Sequence, residues 1–302
     1  MLISILGPTA TGKTTLAARL AYELGAEIIS GDSRQVYRGM DLGTGKDLGE
    51  YIIYGMKIPT HLIDICEAGE EYNLHRYLSD FRKIYERIDR EGRRAILCGG
   101  SGMYIEAVLR GFNVVDVPIN HSLRDDLARL SDDELREKLR GLGPVHATSD
   151  LNERARTISA IEKRLYYMEH QLPMQTHAIP SVNFGIQFPR EQLRERITRR
   201  LKQRLAEGMA EEVKGLLEKG VSGKQFMAYG LEYRWLTLYA TGKISWQEMF
   251  DGLNTAIHRF AKRQMTWFRG MERRGISINW LDGNLSLDQK LNIINEKLNK
   301  IR

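Results

Sequence analysis

The sequence predicts an α/β protein, a parallel sheet flanked by helices and interrupted by an all-helical insertion, and three observations carry that prediction. The apolar run Leu2-Ile3-Ser4-Ile5-Leu6 passes straight into Gly7-Pro8-Thr9-Ala10-Thr11-Gly12-Lys13-Thr14 and then into a helical pattern, the strand–loop–helix order of a phosphate-binding loop. Two later strand candidates, Ala26–Ser30 and Arg94–Cys98, end in glycine-containing turns, and in open α/β sheets ligand chemistry sits beyond such carboxyl ends. From about Phe112 the texture changes, and nearly all-helical, charge-dense patterns replace strand signals until Val182. The expected architecture is a P-loop NTPase-like core of residues 1–115 and 182–302, whose C-terminal part is basic and helical, with residues 116–181 inserted as a helical subdomain.

Gly7 and Gly12 let successive backbone N–H groups curl around phosphate oxygens, and the helix expected over Lys13–Leu24 points its positive end at the same anion. The candidate phosphate ligands are therefore Gly7, Pro8, Thr9, Ala10, Thr11, Gly12, Lys13 and Thr14. Lys13 adds a mobile point charge, and the Thr14 hydroxyl is placed to ligate Mg²⁺. The loop does not say whose phosphates it holds. The second strand ends in Gly31-Asp32-Ser33-Arg34-Gln35-Val36-Tyr37, so Asp32 falls where a general base or metal-bound carboxylate is expected, facing the loop. An Asp that caps the next turn is the alternative.

A polar, glycine-rich loop over Arg38–Asp47 precedes further strand candidates at Tyr51–Tyr54 and Thr60–Ile65. Apolar residues spaced by three and four predict a scaffold helix over Leu74–Glu91. After the strand at Arg94–Cys98, Gly99-Gly100-Ser101-Gly102 turns sharply, which brings Ser101 to the same crevice. In the insertion, Arg124, Arg154, Arg156, Lys163 and Arg164 could face a nucleic acid, although interleaved acids make a solvated face the default. Val182–Phe188 rejoins the sheet, and Pro189 opens a helix with the apolar stripe Leu193, Ile197, Leu201, Leu205. On its other faces Arg196 and Arg200 lie one turn apart, able to reach a phosphate together. Over Asn254–Met271 a core stripe of Ile257, Phe260, Ala261, Met265 and Phe268 runs beside a basic one. Aromatic and basic residues interleaved in this way suit RNA, while Trp267 is read as core. A last strand over 276–280 and a terminal helix over 286–300 complete the chain.

With 302 residues and 42% hydrophobic content the chain can bury a sizeable core. Its formal charge of +6 favours a polyanionic partner without requiring one. The apolar start is too short for a signal peptide and no later stretch approaches an uncharged membrane span, so a soluble protein with no membrane partner is expected. The only cysteines, Cys66 and Cys98, sit in apolar surroundings without metal-ligand spacing, which points to reduced core thiols and a cytoplasmic address.

The motifs together resemble the tRNA dimethylallyltransferases, which prenylate the adenosine next to the anticodon. The resemblance spans nearly the whole chain. It rests on the loop at 7–14, on Asp32-Ser33-Arg34-Gln35-Val36-Tyr37 with Gly43-Thr44, on His61-Leu62-Ile63-Asp64, on Gly99-Gly100-Ser101-Gly102-Met103-Tyr104, and on Ala261-Lys262-Arg263-Gln264 with Thr266-Trp267-Phe268-Arg269. It implies that the loop holds the diphosphate of dimethylallyl diphosphate while Asp32 takes a proton from the attacking N6 of a flipped-out adenine. Thr9 would sit near the bridging oxygen, and Lys13, Mg²⁺ on Thr14, and Arg196 or Arg200 would stabilise the leaving diphosphate. Ser33, Arg34, Gln35, Ser101, Arg124 and Arg156 would meet the tRNA, whose anticodon stem the insertion would grip, and the enzyme would act as a monomer. Departures from the family pattern include Ser101 for the common Thr, Ser159 for an expected Arg, Ile257-His258-Arg259 and Gly230-Leu231. These leave the chemistry intact and put RNA choice in question. A transferase acting on free adenine nucleotides, a P-loop kinase and a nucleotide-switched RNA-binding protein are the alternatives. The kinase gives no job to the Asp-Ser-x-Gln-Val-Tyr stretch or the late Lys-Arg-Gln stretch, an enzyme acting on free nucleotides has less need of the large basic C-terminal half, and the RNA-binding protein would show RNA affinity that responds to ATP.

Overall fold

The structure is a computed structural model and describes residues 1–113, 115–143, 151–173, 178–220 and 223–301. Its strands in chain order are β1 (Leu2–Leu6), β2 (Glu27–Ser30), the two-residue β3 (Ile52–Ile53), β4 (Met56–Lys57) and β5 (Thr60–His61), then β6 (Ala95–Gly99), β7 (Ser181–Gln187) and β8 (Asn279–Asp282). Six of them form one parallel sheet in the order β5-β2-β6-β1-β7-β8. Every residue of β1, β2 and β6 is buried, which is why β1 and β6 read as near-continuous apolar runs rather than as alternation. The expected α/β class with a parallel sheet flanked by helices is what the chain forms.

Helices α1 (Lys13–Leu24), α2 (Leu74–Arg90) and α3 (Gly102–Leu109) connect the N-terminal strands. α1 and the terminal helix pack on one side of the sheet around Ile3, Ile5, Leu16, Leu20, Ile28 and Phe184. The chain divides into two compact units, Met1–Arg110 with Ala178–Arg302, and Gly111–His177. The second boundary falls before 181 because Ser181 already pairs with Leu2 and the N–H of Leu2 donates to Pro180 O at 2.9 Å. Within the second unit, α4 (His121–Ala128), α5 (Asp132–Gly141) and α6 (Arg154–Glu169) close on Leu127, Leu135, Leu139 and Ile161. Asn120 caps α4, and a Ser131/Glu134 capping box opens α5, each stabilising its helix by about 1 kcal/mol.

The C-terminal part of the first unit adds α7 (Arg190–Ala206), α8 (Met209–Glu218), α9 (Gly223–Ala228), α10 (Leu231–Ala240), the 28-residue α11 (Trp246–Arg273) and α12 (Leu287–Asn299). Among the described residues no helix is long and apolar enough to cross a membrane.

Three expected strands differ. Tyr51–Tyr54 is not one strand: Leu48–Tyr51 is a 3₁₀ turn, and Tyr54 and Gly55, at φ 50° and 77°, turn β3 into the antiparallel β4, because a two-residue hairpin requires positive φ. The strand expected over Thr60–Ile65 stops at His61, since Leu62 and Asp64 adopt φ of 61° and 55°. The last strand lies at Asn279–Asp282 rather than 276–280, in the register that pairs Gln187 with Asp282.

The carboxyl ends of β2 and β6 are stitched together tightly. The N–H of Gly31 donates to Cys98 O at 2.7 Å and that of Ser101 to Gly31 O at 3.1 Å. A Cβ on Gly99 would lie 2.3 Å from the Gly31 carbonyl carbon and oxygen. Gly99→Ala is therefore expected to destabilise the protein by about 3 kcal/mol, the upper range of overpacking. A lowered urea midpoint at unchanged slope is the measurement.

Candidate active site

The phosphate loop joins β1 to α1 with Gly7 at φ 152° and Gly12 at φ 80°. A side chain at Gly7 would also start 2.8 Å from Ile186 O on β7, so both backbone geometry and neighbour demand glycine. Ala10 adopts φ 62°, a left-handed conformation that costs a non-glycine residue about 1 kcal/mol. Thr11 Oγ1 donates to Pro8 O at 2.9 Å and Lys13 Nζ donates to the same carbonyl at 2.7 Å. Burial of the Lys13 ammonium brings its pKa down to about 8, with Arg200 adding to the fall and Cys98, Asp32 and Glu50 opposing it.

Asp32 follows β2 directly. Its Oδ1 accepts the Arg34 N–H at 3.0 Å, so the turn-capping role is real. The same carboxylate lines a cavity of about 540 Å³ together with Thr9, Lys13 and Thr14. Burial pushes its pKa above the usual Asp range, while the Arg34 N–H and the charges of Lys13, Arg34 and Arg200 pull it back. The Ser33 N–H donates to Ser101 Oγ at 3.0 Å, and Ser101 Oγ donates to Ser33 Oγ at 3.2 Å. Gln35 is tied inward, accepting from Ser30 Oγ at 3.1 Å and donating to Gly45 O at 3.3 Å. Ser33, Arg34, Gln35, Ser101 and Arg200 line the same cavity.

Arg196 and Arg200 on α7 both reach the loop. Arg200 donates to Thr9 Oγ1 at 3.3 Å, whereas Arg196 donates to Ala10 O at 2.9 Å and lays its guanidinium over the Phe188 ring at 4.4 Å. Arg200 thus faces the cavity and Arg196 braces the loop backbone. In the second unit, Arg124 meets the buried Glu162 through Nε at 3.0 Å and Nη2 at 2.7 Å, and Arg156 pairs with Glu153 on an exposed face. Arg124 thereby secures α4 to α6.

Several residues that build the site escaped the sequence reading. Gln264 on α11 accepts the Thr9 N–H at 2.9 Å and donates to Gly100 O at 2.8 Å, joining the phosphate loop to the β6 turn. A Cβ on Gly100 would lie 2.5 Å from Gln264 Nε2, so glycine there admits the glutamine. Its signal was present: a polar residue in register with Ile257, Ala261 and Phe268 must find buried partners. Arg204, one further turn along α7 from Arg200, shares Asp47 with it, at 2.6 and 2.8 Å. Glu212 on α8 accepts the N–H groups of Asp41, Leu42 and Gly43 at 2.9, 2.7 and 3.1 Å, and so shapes the glycine-rich loop. Trp267 and Phe260, expected in the core, instead line the cavity, Phe260 being 37% exposed. The stripe that faces the core runs through Ile257, Ala261, Gln264 and Phe268.

Among the described residues no group of three or more His, Cys, Asp or Glu could hold a metal ion by itself. Mg²⁺ needs no such cage, because it keeps several waters and binds through one or two protein oxygens together with substrate phosphates. The Thr14 hydroxyl, which lines the cavity beside the loop, is an oxygen donor of that kind.

The arrangement places a phosphate cradle, a recessed carboxylate and aromatic–basic walls around one opening. The profile of the IPP transferase family matches residues 35–271, and that of isopentenyl transferases matches residues 1–54. The chain is 52% identical to tRNA dimethylallyltransferase 2 of Bacteroides fragilis over 98% of its length and 97% of that protein. It is likewise 52% identical to tRNA dimethylallyltransferase 1 of Porphyromonas gingivalis over 96% of each chain. The solved tRNA isopentenylpyrophosphate transferase of Bacillus halodurans superposes with a TM-score of 0.73 at 32% identity, covering 99% of this chain and 95% of that one. With a family profile across most of its length and relatives that share half its residues end to end, the chain belongs to the tRNA dimethylallyltransferase family.

Proposed function

We propose that the chain transfers a dimethylallyl group from dimethylallyl diphosphate to N6 of the adenosine adjacent to the anticodon of tRNA. The observation that carries this reading is the opening of the Asp32 carboxylate and the phosphate loop into one cavity. The N6 lone pair attacks C1, the C1–O bond breaks with its electron pair leaving on diphosphate, and the N6 proton passes to Asp32. Burial raises the pKa of Asp32 above the usual Asp range, which makes it a stronger base than an exposed aspartate. Lys13, Thr9 and Arg200, together with the loop amides, meet the negative charge that grows on the departing diphosphate. Arg196 holds the loop in shape. Thr14 would hold Mg²⁺, which when bound supplies further charge neutralisation at the diphosphate.

In the same reading Ser33, Arg34, Gln35 and Ser101 meet the target base and its neighbours. The helical insertion grips the anticodon stem, with Arg156 on its surface. Arg124, engaged by Glu162, supports that surface rather than binding RNA itself. Loop, base and cavity come from one polypeptide, so a monomer suffices. Cys66 and Cys98 are buried free thiols, as suits the reducing cytoplasm.

Donor identity is tested by thermal stabilisation. The non-transferable analogue dimethylallyl S-thiolodiphosphate is expected to raise the Tm, and ATP to leave it unchanged. Stabilisation by ATP alone would sink the prenyl-donor assignment and favour a nucleotide-dependent protein.

A further inference from the structure

Glu232 is an ionisable group in the cavity wall for which the chemistry above has no use. It stands in the first turn of α10, just after Gly230, whose φ of 129° gives the chain its sharp entry into the helix. A Cβ built on Gly230 would lie 3.8 Å from Arg34 Nε and 4.0 Å from Glu232 Oε2, so the carboxylate sits beside the Asp32–Arg34 turn. It lines both the main cavity and a smaller adjoining one of about 60 Å³. The two arginines nearest in charge, Arg200 and Arg204, are already held by Asp47. The backbone N–H of Glu232 itself meets the carboxylate. Burial raises its pKa, and the Asp32 charge adds to the rise while Arg204 and Arg200 counter it.

A carboxylate in this position repels a diphosphate and attracts an N–H donor. Asp32 accounts for one proton of the adenine amine, the one that leaves. The amine carries a second. We propose that Glu232 accepts a hydrogen bond from that second N6 proton, stabilising the positive charge that develops on N6 and selecting a 6-aminopurine over a 6-oxopurine. A guanine in the same pose would set its O6, an acceptor, between two carboxylates, and such a mismatch of donors and acceptors discriminates strongly in a buried site. The inference rests on the prenyl-transfer reading of the same cavity.

The test compares wild type with Glu232→Gln, which keeps size and helix position but exchanges part of the acceptor for a donor. Two anticodon stem-loop RNAs serve as probes, one with adenosine and one with guanosine at the target position. The variant is expected to lose about 10- to 100-fold in kcat, the range for a hydrogen bond to a charged group, with KM for dimethylallyl diphosphate and Tm unchanged. The guanosine RNA, as competitive inhibitor, is expected to bind the variant about 10-fold more tightly than wild type. Unchanged kcat and unchanged inhibition would overturn the role, as would a loss confined to the donor's KM. A wild type that leaves the adenosine RNA unmodified would remove the parent reading instead, and this role with it.

Discussion

Asp32→Asn is expected to lower kcat by about 10²–10⁴-fold, the span that a well-placed general base contributes, while the affinity for dimethylallyl thiolodiphosphate changes little. The amide preserves the bond to the Arg34 N–H, since its carbonyl oxygen can still accept there. The turn should therefore stand, and the loss should be chemical. The pH dependence follows from the same residue. A base whose pKa is raised loses activity as pH falls through that raised value, so the acid limb of kcat/KM should lie above the ordinary Asp range. Steady-state kinetics across pH, with Tm recorded for each variant, check both statements. Retention of near wild-type turnover by the variant would remove Asp32 from the chemistry.

Lys13→Ala is expected to cost about 10²–10³-fold in kcat/KM, comparable to deleting one donor from a preorganised charge-stabilising site. The ammonium's carbonyl partner, Pro8 O, also accepts from Thr11, so that carbonyl keeps a partner and the fold should persist. In wild type the ammonium itself sets the alkaline side. As pH rises through about 8 the free enzyme loses that charge, and kcat/KM should fall there, whereas kcat should hold to higher pH because bound diphosphate favours the protonated amine. A profile with no alkaline limb below 10 would place the lysine outside diphosphate binding.

What could be read in the sequence and what could not divides along contact range. Gly7 to Thr14 is contiguous, so strand, turn and helix signals fall side by side and the phosphate loop is legible residue by residue. Asp32 and Ser101 were legible because each follows a strand end, and parallel strands bring their carboxyl ends to one edge. The contact of Ser101 with Ser33, the residue after Asp32, needed only that β2 and β6 be neighbours. Glu232, Glu212 and Arg204 left no such trace. They reach the site from helices far along the chain, and nothing local distinguishes Glu212, which accepts three loop N–H groups, from any exposed helix acid. α11 shows a different limit. Two stripes lie side by side on it, Ile257-Ala261-Gln264-Phe268 toward the core and Phe260-Arg263-Trp267 toward the cavity. Helical periodicity marks apolar faces but does not say which of two adjacent faces meets a ligand. Short strands failed for their own reason: β5 has two residues, too few for any alternation to register.

The most direct test of the prenyl transfer is nucleoside mass spectrometry of unmodified total tRNA after incubation with the protein, Mg²⁺ and dimethylallyl diphosphate. The expected result is N6-dimethylallyladenosine in tRNA, formed in step with diphosphate release and formed about 10²–10⁴-fold more slowly when Asp32→Asn replaces wild type. Unmodified tRNA, in a reaction where a known active tRNA dimethylallyltransferase succeeds alongside, would contradict the account and send the acceptor search to free adenine nucleotides.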